Sequence, residues 1–439
     1  MTVPFRTVRI QASSAAAGIS GRLLGPDVAF DGASFDTRSL IPGQLFVPIV
    51  AERNGHEFIG VAREAGAVAY LTSEADPWRR TGTSIEVADT ADALMRLGGW
   101  ARQQLDTTVV GVTGSVGKTS TKDLISAACS AERKTTANER SFNNEQGLPI
   151  TILNAPDDTE VLILEMGMRG FGEITSLCEV ARPNIGVVTA VGYSHTERVG
   201  GIDGVAKAKQ ELVAALPKSG TAILNADDER VAAMAKHTGA SVLTYGTAGG
   251  DICISNLMLD ELARPSFRVD TPWGSGDVQL AISGVHMAMN AAAAIAVAGS
   301  VGVSLDAAIA ALANAHMSAM RMEVLSAPSG ATVINDAYNA NPTSMTAALE
   351  AVAAMRADRR IAILGPMGEL EDEVEGHREV SRIAETLGIQ LVATGTDLYG
   401  VRSTDDPVGL IGGLGAGDVV LVKASRSAGL ERFVAQLLG

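Results

Sequence analysis

The run Gly111-Val112-Thr113-Gly114-Ser115-Val116-Gly117-Lys118-Thr119-Ser120 closes an apolar stretch that begins at Thr108, and it opens a helix-length segment over 121–131. A strand, a glycine-rich turn and a helix in that order form the setting of a phosphate loop. Glycines let backbone N–H groups turn towards phosphate oxygens, and the helix N-terminus adds its positive end. Lys118 is suited to neutralise β- and γ-phosphates, and the Thr119 hydroxyl to ligate Mg²⁺. The spacing departs by one position from the strict G-x-x-x-x-G-K-[ST] form, because Val112 stands where the first glycine belongs. The competing reading is a glycine turn before a helix with a solvated lysine. Residues Thr113, Gly114, Ser115, Val116, Gly117, Lys118, Thr119 and Ser120 are read here as a binding loop for ATP or GTP.

Outward from this loop, apolar runs at 161–165, 185–189 and 221–225 are separated by helix-length segments. Near-continuous apolar strands are covered on both faces, as in a mostly parallel sheet between helices. The stretch 251–280 has a Thr271-Pro272-Trp273-Gly274 turn between strand-like runs and reads as an antiparallel appendage. A further alternation, with strands at 331–335, 360–364, 390–394 and 419–423, predicts a second doubly wound unit. Before the loop, runs at 44–50 and 67–72 with helical patterns at 56–65 and 91–104 predict a small α/β unit. The expected fold class is therefore α/β in three domains, over 1–105, 106–317 and 318–439.

The chain's 439 residues are consistent with that division. Hydrophobic residues at 46% and charged residues at 19% give globular composition, while aromatics at only 4% leave the cores to Ala, Val, Leu and Ile. A net charge of −15 repels phosphate backbones at long range, so no nucleic-acid partner is expected. Cys129, Cys178 and Cys253 are odd in number and widely spaced, which makes neither a disulfide framework nor a metal knuckle. They fit a reducing, cytoplasmic setting, and no secretory signal is read at the start. The uncharged stretch 278–305 is long enough to span a bilayer, but its Gln279, His286 and Asn290 and its Ala and Gly content predict a closely packed core helix and no membrane partner.

Fold pattern and phosphate loop leave kinase, ATPase, GTPase and ligase open. Glu165 ends one predicted strand and His195 follows another, so both belong to the sheet edge that carries the loop. A carboxylate and an imidazole there could hold a second divalent cation, although a helix cap and a structural histidine are the plainer readings.

The loop Thr113-Gly114-Ser115-Val116-Gly117-Lys118-Thr119 resembles the ATP loop of the Mur ligases and their folylpolyglutamate synthetase relatives. Further matches are Ser141-Phe142-Asn143-Asn144-Glu145-Gln146-Gly147-Leu148-Pro149, Gly204-Val205-Ala206-Lys207-Ala208-Lys209, Asp336-Ala337-Tyr338-Asn339-Ala340-Asn341-Pro342 and Lys423-Ala424-Ser425-Arg426-Ser427. The resemblance runs in order from about residue 8 to 436 and is greatest to the members that act last on the muramyl peptide. It implies a UDP-substrate domain, an ATP domain and a C-terminal Rossmann-like domain that brings an amine. It implies two Mg²⁺ ions, with Thr119 on one and Glu165, His195 and a carbamylated Lys209 on the other. Asn290 then matches an adenine contact, Arg321 a phosphate contact and Asp336 a ribose contact. Asp36, Thr37 and Arg38 match the UDP domain, and Asn143 and Asn144 lie in a loop suited to sugar or peptide carbonyls. Tyr338, Asn339 and Asn341 match the family's signature beside the D-alanyl-D-alanine end, and Lys423, Ser425 and Arg426 sit just past a predicted strand end, where Ser425 and Arg426 could meet that dipeptide's carboxylate. This sequence has Met287 where the family repeats Asn, Ala424 in place of a glycine, and Pro366 where an acidic residue is usual.

The reaction so implied is ATP-dependent joining of D-alanyl-D-alanine to UDP-N-acetylmuramoyl-tripeptide through an acyl phosphate, with Lys118, Glu165, His195 and Lys209 at its centre. A monomer is expected. The rival readings are an amide ligase with another amine or acyl acceptor, and a non-catalytic nucleotide-binding protein.

Overall fold

The computed structural model describes residues 9–74, 82–138, 142–193, 196–368, 370 and 372–439. Three β-sheets of five, nine and five strands follow one another along the chain, with a two-stranded ribbon beside the first. The apolar runs around the phosphate loop form the parallel centre of the nine-stranded sheet. In spatial order these are Ser241–Gly246, Thr221–Asn225, Ile185–Val188, Thr108–Thr113, Val161–Glu165 and Thr135–Ala137. Thr108–Thr113 sits where the chain's winding reverses, with Ile185–Val188 on one side and Val161–Glu165 on the other. Ligand crevices in such sheets open at this switch point, beyond the strands' C-terminal ends. The phosphate loop lies there.

The stretch read as an appendage extends the same sheet. Ile252–Leu259 joins it in parallel, and Pro265–Thr271 and Gly274–Gln279 add antiparallel strands. The Ala-rich stretch becomes the helix His286–Ser300, whose Ala291 to Ala294 are fully buried against the phosphate-loop helix Lys118–Ser130. Small side chains permit that close approach. Among the described residues no helix is long and apolar enough to cross a membrane.

The last sheet is parallel over Thr332–Asn335, Asp418–Lys423, Arg359–Leu364 and Gln390–Ala393, in that spatial order, with Glu323–Ser326 added antiparallel at one edge. In the first sheet the expected strand over 44–50 shrinks to Leu45–Phe46. Pro48 has no N–H to continue the ladder, and its carbonyl accepts the Thr90 hydroxyl instead. Asn154 of the central region docks on this unit: its Oδ1 accepts the Ala33 N–H at 2.8 Å and its Nδ2 donates to the Ala33 carbonyl at 3.0 Å. One side-chain amide thus pairs with an edge strand as a neighbouring backbone would.

Candidate active site

The phosphate loop is fixed from beneath by the end of its neighbour strand. Ser115 N–H donates to the Ala190 carbonyl at 2.7 Å, and Thr189 Oγ1 donates to the Val116 carbonyl at 2.6 Å. A Cβ at Gly114 would lie 1.9 Å from Thr189 Oγ1, so no larger residue fits. Gly117, at φ +80°, caps the helix in a conformation that glycine alone adopts without cost. Lys118 Nζ folds over the loop to the Gly114 carbonyl at 2.8 Å and the Ser115 carbonyl at 3.4 Å.

Glu165 is buried at its strand end. Its Oε2 accepts the Thr119 hydroxyl at 2.8 Å, its Oε1 accepts Asn143 Nδ2 at 2.7 Å, and its N–H donates to Asn138 Oδ1 at 2.9 Å. The Thr119 and Glu165 oxygens suit a hard cation such as Mg²⁺, which takes one or two protein oxygens and completes its shell with phosphate and water. No group of three His, Cys, Asp or Glu is gathered among the described residues. His195 lies outside the described residues. Lys209 is buried near Lys118, and among the described residues its amine makes no hydrogen bond or ion pair. Burial, and secondarily the Lys118 charge, push its pKa well below the ordinary lysine value.

Two cavities meet at this centre. One, of about 360 Å³, runs from the phosphate loop to His286, Asn290, Arg321, Asp336 and Tyr338. The other, of about 630 Å³, holds Lys209, Asn144, Arg169, Ser425 and Arg426. Lys118, Asn143 and Asn339 line both. In the first, His286 Nδ1 is buried with no partner among the described residues, and burial lowers that imidazole's pKa. Met287, the departure from the family's asparagine, sets its sulfur 3.6 Å from Asn290 Nδ2. Arg321 lies over the Tyr338 ring, 4.2 Å from its centre, and donates to Thr119 Oγ1 at 3.2 Å.

Several candidates also make structural contacts of their own. Lys423 is buried with its Nζ 2.5 Å from Asp336 Oδ2 and 2.9 Å from the Asn339 carbonyl. Burial lowers the Lys423 pKa, and the Asp336 charge works against that. This pair, together with Tyr338 and Asn341, faces the first cavity rather than the second. Asn341 caps the helix Pro342–Ala354 in a box with Ser344. Asn144 Oδ1 accepts the Gly147 N–H at 2.9 Å ahead of the helix Gly147–Leu153. Ser425 Oγ accepts the Gly368 N–H at 3.0 Å, and Arg426 pairs with Glu431 at 2.6 Å. Ala424 packs so tightly on Gly365 that a Cβ there would lie 2.7 Å away. Ser425 N–H donates to the Pro366 carbonyl at 3.0 Å, a bond that the proline side chain does not alter.

Asp36 and Arg38 pair with one another and line neither cavity, and Thr37 lies between them. Phe35 of this loop meets the Phe142 ring, 5.8 Å away, next to Asn143 of the second cavity's wall. Phe35 and Asn154 carry no signal in the sequence beyond an aromatic or an amide in a loop, and Phe142 stands out only within the Ser141–Pro149 motif. Cys129 and Cys178 are buried, with thiol pKa values pushed up to about 12, and are structural.

Fold and cleft together define a three-domain α/β protein of the phosphate-loop class. Family models for the Mur ligase middle domain match residues 112–298, and those for the Mur ligase glutamate ligase domain match 320–407. The UDP-N-acetylmuramoyl-tripeptide–D-alanyl-D-alanine ligase of Mycobacterium bovis is 38% identical over 90% of this chain and 90% of its own. Its Escherichia coli counterpart is 34% identical over 95% and 96%. MurF from Acinetobacter baumannii superposes with a TM-score of 0.87 at 26% identity, over 99% of this chain and 100% of that one. MurF ligase from Thermotoga maritima in complex with ADP gives 0.82 at 27%, over 92% and 96%. The chain belongs to the Mur ligase family.

Proposed function

We propose that this chain joins D-alanyl-D-alanine to UDP-N-acetylmuramoyl-tripeptide at the expense of ATP, releasing ADP and phosphate, as a step of peptidoglycan precursor synthesis. In this reading residues 1–105 hold the UDP end, 106–317 hold ATP and 318–439 bring the dipeptide. The observation that carries it is the wall of Lys118, Asn143 and Asn339 common to both cavities. A nucleotide's γ-phosphate on one side and a peptide's terminal carboxylate on the other would meet at Lys118.

The carboxylate attacks the γ-phosphate, the bond to ADP breaks, and an acyl phosphate forms. The dipeptide's amine then attacks the acyl carbon, and phosphate leaves from the tetrahedral intermediate. Two anions must approach in the first step, so positioning and charge neutralisation dominate. Lys118 supplies positive charge to the phosphates, with Arg321 beside Thr119. His286 and Asn290 face the base, and Asp336 the ribose. Asn143 and Asn144 serve the acyl acceptor, while Asn339, Ser425 and Arg426 serve the dipeptide with Tyr338, Asn341 and Lys423 behind them. Thr119, Glu165, His195 and Lys209 would hold two Mg²⁺ ions, which when bound offset phosphate charge. A neutral Lys209 amine is the form that takes up CO₂, and the carbamate adds an anionic oxygen ligand. The expected setting is cytoplasmic and the expected state monomeric.

The test is ADP release with UDP-muramoyl tripeptide, with and without D-alanyl-D-alanine. Turnover should need both substrates and fall at least about a hundredfold in Lys118→Ala, the scale of one lost transition-state donor. Equal turnover with unrelated amines would overturn the dipeptide assignment.

A further inference from the structure

A closed circuit of contacts passes beneath the phosphate-loop helix. Glu165 N–H donates to Asn138 Oδ1, and the Asn138 carbonyl accepts Lys122 Nζ at 2.9 Å. Lys122, itself buried, pairs with Asp123 at 2.8 Å. Asp123 Oδ2 accepts the Ser318 N–H at 2.8 Å, and its Oδ1 accepts the Ser318 hydroxyl at 3.1 Å. Three residues on, Arg321 donates to Thr119 Oγ1, and Thr119 donates to Glu165 Oε2. The circuit therefore begins at the Glu165 backbone N–H and ends on its carboxylate, at the centre of the cleft.

The segment between Ser318 and Arg321 joins the central sheet to the last one, and it is held at both ends. Asp123 grips Ser318, while the Met322 N–H donates to Asp336 Oδ1 at 3.1 Å. Between these grips Met320 and Met322 stand at φ +60° and +49°. Non-glycine residues take up that left-handed conformation only when their surroundings impose it. The strained turn aims Arg321 at Thr119.

We propose that Asp123 and Lys122 are positioning residues: by gripping the linker at Ser318 they hold Arg321 in the nucleotide cleft and couple it to Glu165. This rests on the reading of that cleft as the ATP site. Neither residue lines either cavity, so both act through Arg321 and Glu165.

The experiment measures KM for ATP and kcat in Asp123→Ala, Arg321→Ala and the double variant, with Ser318→Ala as a milder change should Asp123→Ala fail to fold. Each single substitution should lower kcat/KM for ATP about tenfold or more, leave KM for D-alanyl-D-alanine unchanged, and give a double variant no worse than Arg321→Ala alone. Residues in one network are non-additive in this way. Losses that multiply in the double variant, or in Ser318→Ala combined with Arg321→Ala, would overturn the proposal. Wild-type protein without ATP turnover would instead overturn the reading of the cleft.

Discussion

Burial shifts the protonation of the cleft's amine and of a second group beneath the turn at Pro366 and Met367. Water would keep Lys209 charged; buried beside Lys118, it is held towards the neutral form. If that neutrality serves CO₂ capture, Lys209→Ala should lose ligation and regain part of it with short carboxylic acids that fill the vacated place. The absence of rescue, with no labelled carbamate detected by ¹³C spectroscopy in the wild type, would reject this role. His377 is fully buried, edge-on to the Tyr399 ring, and its Nε2 accepts the Met367 N–H at 3.0 Å while Nδ1 faces the Glu373 carbonyl. Charging it would set an Nε2 proton against the Met367 N–H, and burial lowers its pKa below 6.5. The unfolded chain therefore binds this proton first as pH falls, so the stabilisation is complete above about pH 6.5 and declines below it, by at most about 1.4 kcal/mol per pH unit. His286 acts in the same direction. Melting between pH 7.5 and 5.5 should show the decline, and His377→Gln should flatten it; an unaltered slope would refute the assignment. Lys118 and Thr119 were legible because glycine spacing announces them. Lys122, Asp123 and His377 were not, since a lysine, an aspartate or a histidine on a helix reads as solvated until its distant partner is known.

At the scale of elements, the four inner strands of the central sheet and the parallel strands of the last one were legible from apolar runs bounded by turns, and the Ala-rich helix from its composition; Thr135–Ala137, Ser241–Gly246 and the parallel pairing of Ile252–Leu259 were not. In the first sheet Leu45–Phe46 and Ala69–Thr72 fall within the predicted runs, while Arg22–Leu24 and Ala33–Ser34 were not legible, because two or three residues carry no periodicity. Helix contacts were equally hidden. Gly98, midway along Thr90–Arg102, faces Pro149 of Gly147–Leu153, and a Cβ there would come within 2.5 Å of the proline Cβ and 2.9 Å of its Cα. Alanine improves an exposed helix by about 1 kcal/mol over glycine, yet overpacking against a rigid ring costs roughly 1–3 kcal/mol. Gly98→Ala should thus be destabilising in a denaturant titration; a gain in stability would mean that the two helices part freely.

Across the whole molecule, the first and last sheets are attached to the central one by different means. Asn154 extends the first sheet's edge through side-chain hydrogen bonds, and Phe35 meets Phe142. The last sheet is reached through the strained turn at Met320 and Met322. Neither attachment was readable in the chain, because Asn154 and Ala33 are 121 positions apart and Asp123 and Ser318 are 195 apart. The wall common to the two cavities has a pharmacological consequence. A compound whose phosphonate head occupied one chamber and whose peptide-like tail reached the other would make its second contact intramolecularly, at an effective concentration of about a millimolar. Two weak fragments, tethered across Lys118, would become one tight inhibitor.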